Sequence, residues 1–213
     1  MDFDEYRTQK NPLSPWEYLF KKVPFTQLES FGFWGTPRSY YSQESLLSSL
    51  DSFHFAKRLK RVDVSITSKF SEGIHRKHND VSDIKWEEFP TLETLCLNGH
   101  VYLKEKGWSA LGKVKFPRLK TLILKGCNVT DKVLEALSKN KSLKELETLN
   151  LMNAYGSNFS LPPASLEGLK SLLENSCLKK LKTILIDKSY KGQFLIEDLY
   201  SHDQGKIKFL KLG

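Results

Sequence analysis

Three apolar residues recur seven times along this chain with one spacing, at the first, fourth and sixth positions of a six-residue frame. The frames are Leu28/Phe31/Phe33, Leu59/Val62/Val64, Leu92/Leu95/Leu97, Leu119/Leu122/Leu124, Leu146/Leu149/Leu151, Leu181/Ile184/Ile186 and Ile207/Leu210/Leu212, starting 31, 33, 27, 27, 35 and 26 residues apart. Self-similarity at a period of tens of residues constrains a fold more than any single motif does. Each copy is one supersecondary unit that buries its apolar side only against its neighbours. Positions four and six lie two apart and share one face of a strand. The first position closes the turn that enters it.

The residues after each frame repeat as well. Gly35, Gly99 and Gly126 stand two residues beyond the sixth position and Asn153 takes that place in the fifth repeat; these types permit a sharp bend out of a strand. One residue later come Thr36, Thr67, His100, Cys127, Ala154 and Ser189, mostly small and several able to hydrogen-bond a bent backbone. Helices are expected in the intervals. One runs over Thr130–Ser138 with Thr130 or Asp131 as cap, one over Pro163–Leu173 starting on its proline, and one over Ser42–Phe55. A shorter one around Trp108 and Leu111 is broken by Gly107 and Gly112. Phe89-Pro90 and Phe116-Pro117 precede their frames by equal distances, where proline ends a helix and sets up the next strand.

The run Leu119-x-x-Leu122-x-Leu124-x-x-Cys127-Asn128-x-Thr130-Asp131, followed by a helix, resembles the long, ribonuclease-inhibitor-like leucine-rich repeat. The resemblance covers about residues 24–213, with residues 1–23 left over as an N-terminal cap. It implies an α/β solenoid, a horseshoe whose concave parallel sheet of about seven strands is backed by convex helices. His100 and Ala154 depart from the Cys or Asn usual in that family, and Phe31 and Phe33 from its leucines. Trp16, Tyr18, Leu19, Phe20 and Val23 give the leftover segment enough apolar surface to cover the first strand, with a short helix expected around Pro15–Lys21. The seventh frame ends at Leu212, next to Gly213, which leaves two readings: an edge strand open to a partner, or a chain that continues.

Composition narrows the function classes. With 39% hydrophobic and 12% aromatic residues over 213 positions, the chain is not wholly disordered. No apolar run approaches the roughly 20 residues of a membrane-spanning helix, so no membrane insertion is expected. Cys96, Cys127 and Cys177 form no paired framework, and the acidic start Met1-Asp2-Phe3-Asp4-Glu5 lacks an apolar stretch behind it. Reduced thiols in a cytoplasmic or nuclear protein follow as the expectation. The net charge of +8 is confined to residues 101–150 (+6) and 151–213 (+3) against −1 over residues 1–50 and 0 over residues 51–100. That asymmetry makes nucleic acid an alternative partner.

Positions three, five and seven of each frame point away from the core. Four threonines fall in one column, Thr94, Thr121, Thr148 and Thr183, residues that suit strands in any case. The partner-binding residues expected on this concave face are Trp34, Arg61, Asp63, Cys96, Asn98, Ile123, Lys125, Asn150, Met152, Leu185 and Asp187. Among them Trp34, Cys96, Ile123, Met152 and Leu185 form an exposed apolar stripe, the mark of an interface. Two inserted loops, Ser71–Asp80 with His75 and His78, and Tyr155–Pro163, are further contact candidates. The His-x-x-His pair lacks a third ligand at useful spacing, so a solvated basic loop is the expectation, with no metal.

No P-loop, GxGxxG, GxSxG or HExxH occurs, and no cofactor-binding grouping is expected. The leading expectation is therefore a non-enzymatic protein–protein interaction module, a scaffold or assembly factor, binding through its concave face or C-terminal edge. Leu13-Ser14-Pro15-Trp16-Glu17-Tyr18-Leu19-Phe20 resembles the start of an F-box, which implies substrate recognition for a ubiquitin ligase. The stretch ahead of the first frame is, however, too short for the whole F-box fold. RNA or ribonucleoprotein binding through the basic region 101–150 is the other alternative.

Overall fold

The computed structural model describes residues 25–35, 55–66, 89–99, 112–127, 129–152, 164–174, 177–187 and 208–212. The expected cap over residues 1–23, the helix Ser42–Phe55 apart from Phe55, the segment around Trp108 and both inserted loops lie outside these residues.

The chain is of the α/β class, and its described residues build a parallel sheet with two nine-residue helices. Strands β1 (Ser30–Gly35), β2 (Arg61–Ile66), β3 (Thr94–Asn98), β4 (Thr121–Ile123), β5 (Thr148–Asn150), β6 (Thr183–Asp187) and β7 (Lys208–Leu212) lie in chain order. Each pairs in parallel with the next. Helix α1 (Asp131–Lys139) connects β4 to β5, and α2 (Leu166–Glu174) connects β5 to β6. The two helices pack on one another.

The first six strands all begin at the third position of their frame, and the backbone explains why. The carbonyl of each second position accepts two amides from the following repeat, at 2.7–3.1 Å. Glu29 takes Lys60 and Arg61, Lys60 takes Glu93 and Thr94, Glu93 takes Lys120 and Thr121, Lys120 takes Glu147 and Thr148, and Glu147 takes Lys182 and Thr183. Just upstream, the first-position amides of Leu59, Leu92, Leu119, Leu146 and Leu181 each donate to the carbonyl three residues earlier. These are β-turns, and Pro90 and Pro117 sit at the turn position that favours proline. The prolines thus shape the turn into the strand.

The frame residues supply the core. Leu59, Leu92, Leu119 and Leu146 from the first position, Val62, Leu95, Leu122, Leu149 and Ile184 from the fourth, and Val64, Leu97, Leu124, Leu151 and Ile186 from the sixth are all at most 1% exposed. They form one cluster with Val133, Leu134 and Leu137 of α1 and Leu169 and Leu172 of α2. Each such side chain contributes about 1.5–3 kcal/mol relative to exposure. Gly99 and Gly126 turn the chain out of β3 and β4 with φ of 67° and 72°, a region a side chain disfavours. The Cys127 thiol donates to the Leu97 carbonyl of the preceding repeat at 2.6 Å, tying two turns together inside the core.

A charge pattern runs along the rim at the N-terminal ends of the strands. Over the first six frames the second position reads Glu29, Lys60, Glu93, Lys120, Glu147, Lys182, strictly alternating. Three ion pairs result: Glu29–Lys60 at 2.8 Å, Glu93–Lys120 at 3.0 Å and Glu147–Lys182 at 3.1 Å. All six side chains are exposed, so each pair adds at most about 1 kcal/mol. Their effect is on register, since like charges side by side on adjacent strands repel.

Four expectations are corrected. The seventh frame is out of step by one residue: Phe209 pairs with Ile184 and Lys211 with Ile186, while Leu210 and Leu212 stand opposite Leu185 and Asp187. Apolar residues at 207, 209, 210 and 212 occupy both alternations, so periodicity alone does not set this register. Gly35 still belongs to β1, where it pairs with Ile66. Helix α2 begins at Leu166, after the expected Pro163, because the Ser165 hydroxyl accepts the Gly168 amide at 3.0 Å as an N-cap. Gly112 is itself helical, and a Cβ there would lie 2.8 Å from the Ala136 Cβ. It permits close approach to α1.

Candidate functional site: the outward face of the sheet

With the fourth and sixth positions committed to the core, the third, fifth and seventh positions form the opposite face. The threonines align edge to edge, Thr94 with Thr121, Thr121 with Thr148 and Thr148 with Thr183, all half-buried. The next column holds Gly32, Asp63, Cys96, Ile123, Asn150, Leu185 and Leu210. The third column begins with Trp34, Ser65 and Asn98 and ends with Asp187 opposite Leu212. Between them the backbone stays bonded beyond the short strands β4 and β5. The Gly99 amide reaches the Lys125 carbonyl at 2.7 Å, and Gly126 reaches Met152 at 3.0 Å.

Four of the expected site residues converge on β2 and β3, in a manner the sequence did not suggest. The Asp63 carboxylate accepts from Arg61 Nη2 at 3.0 Å and from Ser65 Oγ at 2.8 Å. Asn98 Nδ2 donates to Ser65 Oγ and to Cys96 Sγ, each at 3.0 Å. Asp63 and Ser65 are 6% exposed and Cys96 is 2% exposed. Cys96 therefore adds nothing to the expected exposed stripe, and Asp63 organises its neighbours with almost no surface of its own. Ser65, absent from the expected set, sits at the centre of the cluster. Its place two residues after Asp63, on the same strand face, was the signal. The Asn98 Oδ1 is buried without a hydrogen-bond partner, which carries a cost of about 1–3 kcal/mol.

Ile123, Asn150 and Leu185 lie side by side in register, and each is half-buried. Met152 follows in the turn after β5, its amide donating to Asn150 Oδ1 at 3.0 Å. Lys125 is exposed on the turn after β4. Of Trp34 and Asp187 the structure describes the backbone position alone. The face thus divides into an internally bonded polar half on β2–β3 and a half on β4–β6 where half-buried Ile123, Met152 and Leu185 stand among the threonines and Asn150.

This arrangement does not activate the thiol. Burial first, then the charge of Asp63 and a hydrogen bond to it, push Cys96 up to about 12. A reactive cysteine needs the opposite shift. The folded state holds this proton beyond the ordinary thiol range of about 8.5. Its contribution to stability is therefore complete below that pH and is lost as pH rises toward 12. Cys96→Ala is expected to flatten the alkaline loss of stability, measured as the change in urea midpoint between pH 8 and pH 10.5; an unchanged slope would refute this. In the folded wild type, iodoacetamide at pH 8 is expected to label half-buried Cys177 ahead of buried Cys96 and Cys127.

Among the described residues, no group of three or more His, Cys, Asp or Glu is placed to hold a metal ion. Nor is any helix among them long and apolar enough to cross a membrane. The cations of the basic region are distributed. Arg118 and Lys120 stand on the rim, Lys125 on the outward turn, and Lys132 and Lys139 on α1, so these described cations are spread over different surfaces. No protein-family model and no curated protein matches the sequence.

Proposed function

We propose that this chain is a leucine-rich-repeat solenoid of about seven strands acting as a non-enzymatic protein–protein interaction module through the concave face of its sheet. The five identical steps of one carbonyl shared by two amides support the repeat reading, since each unit is bonded to the next in one way. The observation that carries the binding reading is the set of apolar side chains on the outward face. Ile123 and Leu185 lie off the core cluster, half-buried on either side of Asn150, with Met152 in the turn after β5. The area such side chains leave uncovered on a regular face favours burial against a partner. Three cysteines outside any disulfide agree with a cytoplasmic or nuclear setting.

The test is positional. A photo-crosslinking residue at Ile123 or Leu185, expressed in the cells of origin, is expected to give one discrete stoichiometric adduct. The same residue at Lys139 on α1 is expected to give none. Ile123→Glu combined with Leu185→Glu should abolish that adduct from a crosslinker at Met152 while leaving the thermal midpoint within a few degrees. Absence of adducts from the outward positions would sink the reading.

A further inference from the structure

Asn-Gly occurs once in the sequence, at Asn98-Gly99, where β3 gives way to its turn. The dipeptide has a chemistry of its own. With no Cβ on the following residue, the glycine backbone nitrogen has open access to the asparagine side-chain carbonyl carbon. Once that nitrogen loses its proton it bonds to Cγ, the Cγ–Nδ2 bond breaks, and the side-chain nitrogen leaves as ammonia. The five-membered imide so formed takes up one water at either carbonyl, which leaves an aspartyl or an isoaspartyl linkage. The repeat does not require asparagine here. The equivalent pair in the next unit is Lys125-Gly126, whose glycine makes the same backbone bond to the repeat after it.

The fold restrains both reacting groups. The Gly99 N–H donates to the Lys125 carbonyl at 2.7 Å, which retains the proton the reaction must remove. Asn98 Nδ2 is held by Ser65 Oγ and Cys96 Sγ, each at 3.0 Å. The Asn98 Oδ1 accepts no hydrogen bond, so no donor stabilises the negative charge that gathers on it as the nitrogen attacks. These contacts sit at a boundary. The paired register of β3 and β4 stops at Cys96 and Ile123, and the Gly99 bond lies beyond it. Bonds past the end of a ladder open more often than the fold as a whole.

We propose that Asn98 is a site of spontaneous modification, converting through an imide with Gly99 to an aspartyl or isoaspartyl residue when the turn after β3 opens, with water as the co-reactant. The product carries a carboxylate in place of the Nδ2 donor. It faces Ser65 Oγ, whose one proton is already given to Asp63. Two carboxylates then compete for one hydroxyl, and the polar half of the outward face loses its central link. This holds whether or not that face binds a partner.

In the experiment, the full chain and a synthetic peptide of residues 94–103 are incubated side by side at mildly alkaline pH. Peptide mass mapping reads the mass gain at position 98, chromatography separates the aspartyl and isoaspartyl products, and hydrogen exchange reads the Gly99 amide. Position 98 of the folded chain is expected to convert to both products, more slowly than the peptide. The ratio of the two rates is expected to match the retardation of Gly99 exchange to within about threefold, since one opening frees both groups. Ser65→Ala removes an acceptor of Nδ2 and is expected to speed conversion on the order of fivefold. The exchange comparison uses the wild-type chain alone, so it decides the matter if that variant does not fold. Conversion of the folded chain at the peptide's rate, its absence over the time that Gly99 exchange allows for it, or a folded Ser65→Ala variant that converts no faster would overturn the proposal.

Discussion

Gly168→Ala is expected to destabilise the folded chain by about 2–3 kcal/mol, although alanine is the better helix former by roughly 1 kcal/mol. The cause is one carboxylate. A Cβ on Gly168 would lie 2.0 Å from Asp131 Oδ1 and 2.6 Å from its Cγ. Asp131 cannot swing aside without loss. Its Oδ1 accepts the Ser165 amide at 2.7 Å and its Oδ2 the Ser165 hydroxyl at 2.8 Å, and that same hydroxyl oxygen caps α2. One added methyl group therefore sets the start of α2 against its brace on α1. Removing the brace should change the result. In an Asp131→Ala background the nearest remaining obstacle is the residue-131 Cβ at 3.2 Å. Gly168→Ala then becomes neutral or stabilising by a few tenths of a kcal/mol as helix propensity takes over. Urea unfolding of the four proteins gives the coupling energy. A value below about 0.5 kcal/mol would rule out the clash as the cause.

The second large effect is expected at Asn140, which is 6% exposed between α1 and the turn into β5. Its Nδ2 donates to the Val114 carbonyl at 3.0 Å, and its Oδ1 accepts the Ser142 amide at 2.9 Å and faces the Ser142 hydroxyl at 2.7 Å. That hydroxyl also lies 2.8 Å from the Val114 carbonyl and accepts the Phe116 amide at 3.0 Å. With a single proton it serves one of its two acceptors at a time. Asn140→Ala removes the acceptor of the Ser142 amide and one of the two donors to the Val114 carbonyl, loosening the link between two consecutive repeats. It should cost about 3 kcal/mol, a fall of roughly 1.5 M in urea midpoint for a protein of this size. Asn140→Asp keeps the acceptor and loses the donor, placing a carboxylate against the Val114 carbonyl. Protonation restores a donor there, so the stability of that variant should rise as pH falls from 7 to 4. A variant equally unstable at both pH values would show that shape, and not the donor, is what matters.

These two sites show where the sequence was legible and where it was not. The first, fourth and sixth positions announced the core because burial selects large aliphatic side chains at a period that backbone geometry enforces. Strand starts and the sheet's outward columns followed directly. The cap of α2 was misread since proline at 163 and serine at 165 are both start signals, and only the contact with Asp131, 34 residues away, decides between them. Gly112 and Gly168 look like helix breakers until the neighbouring helix supplies the reason for a missing Cβ. On the outward face, Asp63 and Cys96 read as surface residues by alternation alone. Their burial depends on side chains bonding sideways across β2 and β3, which no one-dimensional pattern records. The register of β7 was lost because apolar residues fill both of its alternations. The Glu/Lys alternation at the second position, by contrast, was fully visible in the letters and is missed only when apolar residues alone are tracked.

That alternation has a consequence for how such a chain can lengthen. Copying a single repeat in place would set two glutamates or two lysines next to each other along the rim, a mismatch that adjacent strands resist. Copying two consecutive repeats preserves every neighbour. From Glu29 to Lys182 the rim reads as three acid–base couplets, each closed within its own pair of units. The backbone repeats once per unit but the charges repeat once per two, so the smallest tandem duplication that keeps the alternation is a doublet.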